Sequence, residues 1–175
     1  MQYTKSLNYP ASVKRVAAML ADPEFVRWCA QVATPEGKIE VATVVPSEDG
    51  GFTVTVRRRL PAAQIPPQFR RFVGEHIELR AAEVWGPERD GRRVGTVLQE
   101  IVGTPVVVKG TTSLEPVGDS TRQTYRGTLD IQLPPLAALM LPGLIEQVAR
   151  AAMQPVDDAL AAAETAGRQW LETHP

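Results

Sequence analysis

A run of arginines in the middle of the chain has the clearest chemical meaning. Segment 52–60, FTVTVRRRL, alternates between two faces as a strand does, and Arg58 shares its face with the apolar side chains. A cation on such a face needs an anionic partner, either a protein carboxylate or the anionic head of a ligand. Five arginines lie between residues 51 and 73, a stretch without aspartate or glutamate: Arg57, Arg58, Arg59, Arg70 and Arg71. The alternative is a solvated edge whose charge is balanced by acids elsewhere in the fold.

The residues that usually carry catalysis are sparse. The chain has two histidines, His76 at the start of a predicted strand and His174 next to the end of the sequence. The nucleophile motif G-x-S-x-G, the metal motif H-E-x-x-H and the glycine-rich nucleotide loops are all missing. Asp157 and Asp158 are adjacent on a predicted helix, so they diverge by about 100° and do not converge on one substrate. We therefore predict no catalytic residue, no metal site and no cofactor.

Glu100 is the acid whose position the sequence leaves open. It shares one face of the predicted strand 93–102 with Val94 and Leu98, while Val97 and Ile101 lie on the other face. The two faces are similarly apolar. If the first face is interior, Glu100 is a buried acid and a candidate general acid or polar anchor. If the second face is interior, Glu100 lies on the surface.

Composition excludes several classes of function. The net charge is -1 over 175 residues, so a global attraction to nucleic acid or to a membrane is not indicated. The aromatic residues do not form the regular platform of a nucleic-acid-binding protein. The one cysteine, Cys29, excludes an internal disulfide and indicates a buried thiol. Without an apolar signal segment or a stretch long enough to span a membrane, we expect a single cytoplasmic domain over residues 1–175.

The predicted elements are one strand, two short helices, six further strands and a long terminal helix. Ser12 can cap the first helix, and Asp22 with Pro23 can end it and begin the second. The strands alternate in pattern and are joined mostly by tight turns, which predicts an antiparallel sheet. We expect Ile39, Val41 and Val45 to share one face. A slip in the alternation near residues 81–82 indicates a β-bulge.

The terminal helix contains a proline, Pro155, where a helix interior loses a hydrogen bond at a cost of about 3 kcal/mol. Polar and apolar side chains stay in phase on either side of it over residues 144–172. Two helices separated by a break have no reason to keep that phase. We therefore expect one continuous helix with a kink at Pro155, with a clean break as the alternative.

Three stretches resemble the START-like or helix-grip superfamily, also called the SRPBCC or polyketide-cyclase-like superfamily. They are YPASVKRVAAMLADPEF at 9–25, LEPVGDSTRQTY at 114–125, and the segment 129–171, which runs from LDIQLPP to the late Trp-Leu. The last stretch is most similar to an actinobacterial subgroup of unknown function. The resemblance implies an α+β helix-grip fold, in which a curved antiparallel sheet of about seven strands wraps around the long helix.

The resemblance also implies a cavity between sheet and helix, because members of the superfamily bind lipids, sterols or polyketides there. We therefore expect a carrier or sensor of a hydrophobic small molecule, with a cyclase/aromatase-type enzyme or a filled-core interaction module as alternatives. An enclosed apolar volume of several hundred Å³ favours the first two, and a packed interior favours the third. Between the first two, a polar residue deep in the cavity favours the enzyme, and polar groups only at the mouth favour a carrier. The candidate cavity residues are Val54, Val56, Arg58, Phe69, Phe72, Leu79, Trp85, Leu98, Glu100, Tyr125, Leu129, Met140, Leu144, Val148 and Ala152.

Overall fold

The fold is that of a computed structural model, which describes residues 1–61, 76–102, 106–131 and 144–174. Seven strands and three helices lie in these ranges, in the predicted order. The strands are β1 Gln2–Tyr9, β2 Lys38–Pro46, β3 Phe52–Pro61, β4 His76–Trp85, β5 Arg93–Ile101, β6 Val106–Val117 and β7 Ser120–Ile131. The helices are α1 Val13–Leu20, α2 Pro23–Val32 and α3 Leu144–Thr173.

The seven strands form one antiparallel sheet in the order β1-β7-β6-β5-β4-β3-β2. Consecutive strands from β2 to β7 are neighbours in the sheet. Strand β1 lies at one edge and pairs with β7 from Gln2↔Thr128 to Tyr9↔Thr121. This arrangement confirms the predicted α+β helix-grip fold, with two short helices between the first strand and the other six.

The two short helices begin where their capping residues predict. The Ser12 hydroxyl accepts a hydrogen bond from the Arg15 amide at 3.4 Å. The Asp22 carboxylate accepts from the Glu24 amide at 2.7 Å, and Pro23 occupies the first turn. Each cap satisfies an amide that would otherwise lack a helical partner, and a cap is typically worth about 1 kcal/mol.

Helix α3 runs through Pro155 without a break, which excludes two separate helices. The kink predicted at Pro155 stays a prediction. Polar contacts join α3 to β1 and to α1. Lys5 pairs with Asp157 at 2.9 Å, and the Asn8 amide donates to Glu164 at 3.0 Å. Arg15 donates to the carbonyl of Leu171 at 3.0 Å, near the helix end where carbonyls lack helical partners.

The predicted bulge near residues 81–82 is wrong, because β3 and β4 pair without a register shift from Phe52↔Trp85 to Pro61↔His76. The irregularity lies instead in β2, between Ile39 and Val41. An extra residue there reverses the alternation of everything that follows. Val45 is therefore 60% exposed, and not on an inner face with Ile39 as expected.

The core lies on one face of the sheet, beneath the helices. In the larger cluster, Trp85 stacks on Phe52 with ring centroids 6.0 Å apart. Phe25 packs edge-on against Trp170 at 5.5 Å, which joins α2 to α3. A smaller cluster surrounds Leu129 and Met153. In the described parts of the chain, no helix has the length and apolar character to cross a membrane. The cytoplasmic location expected from the sequence stays a prediction.

Candidate functional site

A half-open cavity of about 190 Å³ lies between the inner face of the sheet and helices α2 and α3. Small and branched apolar side chains from α2, α3 and β3 form most of its wall, and a few polar side chains interrupt it. The described lining residues are Tyr9, Leu20, Phe25, Val26, Cys29, Ala30, Ala33, Val54, Val56, Arg58, Ala81, Glu83, Gln99, Gln123, Tyr125, Val156, Ala159, Leu160 and Ala163.

Arg58 lines this cavity and is only 8% exposed. Its Nη1 donates a hydrogen bond to the Thr34 hydroxyl at 2.7 Å. Among the residues that the structure describes, none of the ion pairs includes Arg58. Burial lowers the pKa of Arg58 from its ordinary value, since a low-dielectric surrounding disfavours the charged form. An arginine nevertheless keeps its charge at neutral pH.

The arginines on either side of Arg58 have the opposite environment. Arg57 pairs with Glu40 at 3.3 Å, and Arg59 pairs with the same carboxylate at 2.7 Å. Arg57 also lies 3.8 Å from Glu78. For these two arginines, the solvated edge balanced by acids is therefore the correct interpretation. Arg70 and Arg71 lie outside the described residues.

A chain of buried polar groups lies deeper in the cavity wall. The Glu83 carboxyl accepts from the Trp85 indole nitrogen and from the Tyr125 hydroxyl, each at 3.1 Å. Tyr125 in turn accepts from Nε2 of Gln123 at 2.7 Å, and the same nitrogen lies 3.3 Å from the Thr112 hydroxyl. We call these five residues the polar network. It joins β4, β6 and β7 across the inner face of the sheet.

Burial shifts the titration of the acidic groups around the cavity. It raises the pKa of Glu83 above its ordinary value, although hydrogen bonds from Tyr125 and Trp85 oppose the shift. The pKa of Tyr125 is well above its ordinary value, because of burial and the nearby Glu83. Burial also raises the pKa of Cys29 to about 11, which leaves the thiol protonated and unreactive near neutral pH.

Arg58 and Glu83 lie toward opposite ends of the cavity. Glu83 is directly opposite Val54 in the β3–β4 ladder, and Val54 precedes Arg58 by four residues on β3. At about 3.3 Å per strand residue, the two backbone positions are about 13 Å apart along the sheet. Val56 and Ala81 form the pair between them. The cavity therefore has a cationic end and a hydrogen-bonding end, separated by apolar side chains.

Of the candidate residues named from the sequence, four line the cavity: Val54, Val56, Arg58 and Tyr125. Leu79 has the same strand parity as Ala81 and Glu83 but is not in contact with the cavity. Trp85 and Leu129 are 1% exposed and belong to the packed core. Their faces were assigned correctly, but each packs against other core side chains.

Leu98 and Glu100 are on the wrong face for the role expected of them. Leu98 is 48% exposed and the Arg80 side chain pairs with Glu100 at 3.4 Å on the outer face of the sheet. The interior face of β5 carries Val97 and Gln99 instead. The long helix covers that face, which the apolar content of β5 alone does not reveal.

Six further candidates complete the set named from the sequence. Phe69, Phe72 and Met140 lie outside the described residues. Leu144, Val148 and Ala152 lie on the helical backbone of α3.

Glu83 was missed, although the sequence carries a signal for it. In β4 every second residue from Ile77 to Trp85 faces inward, and all of them except Glu83 are apolar. A single acid in an otherwise apolar alternation indicates a buried carboxyl. Gln123 is also fully buried, but its neighbours on the inward face of β7, Thr121 and Tyr125, carry polar groups themselves, so β7 gives no comparable signal.

The histidines lie away from this site. His76 is exposed at the start of β4, and the His174 ring stacks on Trp170 with centroids 3.9 Å apart. Within the described ranges, no group of three histidine, cysteine, aspartate or glutamate side chains has the arrangement of a metal site.

Comparison with known proteins gives the fold a family. The chain is 25% identical over 141 residues to the uncharacterized protein Rv0481c of Mycobacterium tuberculosis, covering 75% of this chain and 79% of that protein. Its structure is similar to the Zhui aromatase/cyclase of Streptomyces sp. R1128, at a TM-score of 0.60 and 13% identity over 98% of this chain and 95% of that one. A START superfamily protein of Mycobacterium smegmatis matches at a TM-score of 0.52 and 16% identity, over 96% and 97% of the two chains.

These structural similarities establish the START-like fold, and at such low identity they establish nothing about activity. The family model described as "Protein of unknown function (DUF2505)" matches residues 4–171. The match covers nearly the whole chain, and the mycobacterial relative agrees with the actinobacterial subgroup that the sequence resembles. The chain belongs to the DUF2505 family, and its own fold is the START-like helix-grip fold.

Proposed function

We propose that the protein binds a hydrophobic small molecule with an anionic head, lipid-like or polyketide-like, in the cavity between the sheet and α3. It acts as a carrier or sensor of that molecule. The observation that carries the proposal is Arg58, a nearly buried cation at the end of an apolar cavity. A solved neighbour with this fold is an aromatase/cyclase, which supports binding of a small molecule and does not decide between a carrier and an enzyme.

The argument rests on what a buried guanidinium requires. Removing an ion from water costs several kcal/mol even after the protein relaxes, and the cost is offset only by good partners. A guanidinium has five N–H donors in a planar fork, which matches a carboxylate or phosphate with two parallel hydrogen bonds. The neutral Thr34 hydroxyl accepts one of them. Among the residues that the structure describes, no carboxylate pairs with Arg58, and an anionic ligand group would supply that charge together with oxygen acceptors.

The cavity volume limits the size of the ligand. Cavities that hold drug-sized molecules measure about 300–1,000 Å³, and this one measures about 190 Å³. We therefore propose a slender ligand with the bulk of a medium-chain acid. This volume lies between the several hundred Å³ expected for a carrier and the packed interior expected for the filled-core interaction module, which stays an alternative.

The test compares an acid with the matching alcohol. Decanoate and decanol should each displace an environment-sensitive fluorescent lipid, and decanoate should bind more tightly. Arg58→Ala should lower the affinity for decanoate by about thirtyfold or more, which is the usual loss when one partner of a buried charge pair is removed. The affinity for decanol should change by no more than about twofold, because decanol makes no ion pair.

Arg57→Ala is the matched control, since this neighbouring arginine lies on the outer face beside Glu40. It should leave both affinities unchanged. If Arg58→Ala lowers the affinities for the acid and the alcohol equally, the role of Arg58 is structural. If neither compound displaces the probe from the wild-type protein, the binding function itself is wrong.

The polar network favours a second candidate, an enzyme of the cyclase/aromatase type acting in the same cavity. Glu83 and Tyr125 place a buried acid and a phenol at the hydrogen-bonding end of the cavity. A simple carrier is expected to have polar groups only at the mouth of its cavity. The two candidates differ in what happens to a bound ligand. Mass spectrometry of ligand recovered after long incubation distinguishes them: an unchanged mass indicates a carrier, and loss of water indicates cyclisation or aromatisation.

A further inference from the structure

One polar side chain interrupts the inner face of β5. Gln99 lies there between Val97, which packs against the larger core cluster, and Ile101, which packs against the smaller one. Its partner in the β4–β5 ladder is Ala81, a small side chain that also lines the cavity. An apolar side chain would gain free energy from burial at this position, and an amide does not. The inner face of β5 therefore carries a hydrogen-bonding group that packing of the core does not require.

The side-chain amide of Gln99 is open to the cavity. Gln99 lines the cavity and is partly exposed. Within the described parts of the chain, its side chain makes no hydrogen bond to the protein. Neither Oε1 nor Nε2 of Gln99 is shielded from solvent, whereas Oε1 of Gln123 is both unpaired and shielded. A molecule in the cavity can therefore reach both polar atoms of Gln99.

The chemistry of the Gln99 amide matches a neutral oxygen atom. An amide has one acceptor oxygen and two N–H donors, so it can pair with a hydroxyl or with a carbonyl. Water can supply these hydrogen bonds while the half-open cavity holds no ligand. A plain acyl chain that displaces the water would leave the amide unpaired beside an apolar surface, which is unfavourable. A chain that carries an oxygen at this point would replace the hydrogen bonds of the water.

The sheet determines the separation of Gln99 from Arg58. Arg58 is opposite Leu79 on β4, and Leu79 is opposite Ile101 on β5. Gln99 is therefore two strands across and two residues along from Arg58, which places the two backbone positions about 12 Å apart. Their side chains stand roughly perpendicular to the sheet, so their polar ends are separated by a similar distance. Hydrogen bonds of about 3 Å at each end leave about 6 Å between the two polar groups of a ligand, or about five bonds of an extended chain.

We infer that the ligand is a medium-chain acid with a neutral oxygen, a hydroxyl or a carbonyl, near the middle of its chain. Its carboxylate binds Arg58, and the mid-chain oxygen forms a hydrogen bond with the side-chain amide of Gln99. This inference rests on the proposed function and adds a second polar group to the ligand at a defined distance from the first. Gln99 is then the residue that distinguishes an oxygenated acid from a plain fatty acid.

The experiment compares three acids of one chain length by the same displacement measurement: decanoate, 6-hydroxydecanoate and 6-oxodecanoate. The wild-type protein should bind each of the two oxygenated acids about tenfold more tightly than decanoate, because only they replace the hydrogen bonds that the amide loses with its water. The sixth carbon is chosen because it lies five bonds from the carboxyl carbon.

Gln99→Met keeps the length of the side chain and removes both polar atoms, so the tenfold preference should fall to about one. Gln154→Met is the matched control, because Gln154 is exposed on α3, donates to Asp158 and does not line the cavity. It should keep the preference.

Urea unfolding of Gln99→Met separates a role in binding from a role in folding. Its midpoint should equal or exceed that of the wild type, because methionine replaces an unpaired amide in apolar surroundings. A lower midpoint would show that the amide has a partner inside the protein, and it would overturn the inference.

The binding results decide between the inference and the proposed function on which it rests. If the wild-type protein binds decanoate as tightly as either oxygenated acid, the inference is wrong and the proposed binding function still stands. A preference for the oxygenated acids that survives in Gln99→Met would also overturn the inference. If none of the three acids displaces the probe, both the inference and the proposed function are wrong.

Discussion

A shift of one residue along β3 moves an arginine from the outer face of the sheet to the inner face and so changes its environment. Arg57 and Arg59 point outward and share Glu40, while Arg58 points inward among apolar side chains. The alternation of segment 52–60 is enough to predict this difference, because a strand places successive side chains on opposite faces. The alternation of β4 indicates the Glu83 carboxyl in the same way, because Glu83 is the one acid among the inward-facing residues of that strand. Its partner Tyr125 lies 42 residues away, so their hydrogen bond depends on the folded sheet.

Burial of Glu83 makes the stability of the protein depend on pH. Because the folded protein raises the pKa of this acid, the folded state holds its proton more tightly than the unfolded state does. The free energy of unfolding therefore falls as pH rises from the ordinary glutamate pKa of 4.5 to the higher folded value. Glu83→Gln removes the titrating group. We expect the stability of Glu83→Gln to improve relative to the wild type as pH rises through this range.

Urea unfolding at a series of pH values from 4 to 8 measures this trend. Glu100→Gln is the control, because Glu100 lies on the outer face beside Arg80, and it should show no such gain. A stability difference between Glu83→Gln and wild type that is constant over the whole series would show that Glu83 does not ionise in a buried site.

At the scale of elements, local signals predict where helices and strands begin and end. Ser12 and Asp22 cap α1 and α2 because their side chains satisfy free amides, a purely local effect. The interior face of β5 was not predictable from β5 alone, since both of its faces carry valine or leucine. The helix that covers the sheet decides that choice. The bulge in β2 is similarly hidden, because Ile39 and Val41 look like ordinary members of one face.

Packing between α3 and β1 gives a prediction at this scale. Gly167 lies where an added Cβ would be 2.4 Å from a ring carbon of Tyr9 and 3.2 Å from Met19. Glycine to alanine in a helix usually gains about 1 kcal/mol. Here the buried tyrosine, 1% exposed, leaves no room for a methyl group. We expect Gly167→Ala to lower the free energy of unfolding by about 1–2 kcal/mol, within the range of overpacked cores.

Denaturant unfolding measures the effect, and Gln169→Ala on the exposed side of the same helix should stay within about 0.5 kcal/mol of wild type. A stabilised Gly167→Ala would mean that α3 lies further from β1 than the structure places it.

At the scale of the whole molecule, the order of the elements was enough to predict an antiparallel sheet with the long terminal helix over its apolar face. The pairing of β1 with β7, which completes the strand order, was not predicted from it. The cavity was expected from a resemblance, because its volume depends on how closely α2 and α3 approach the sheet. The approach of α2 and α3 to the sheet also decides which inward-facing side chains are packed and which border the cavity. Trp85 and Leu129 therefore fill the core, while Gln99 and Gln123 line the cavity.

Native mass spectrometry tests the central claim, that the cavity of the folded protein holds a small apolar acid. The protein is stripped of bound molecules by organic extraction and refolded, then mixed with equal amounts of saturated acids and the corresponding alcohols of eight to sixteen carbons. The account predicts a one-to-one complex with a medium-chain acid in preference to its alcohol, because Arg58 pairs with the carboxylate. The absence of any bound acid or alcohol across the whole mixture would contradict it.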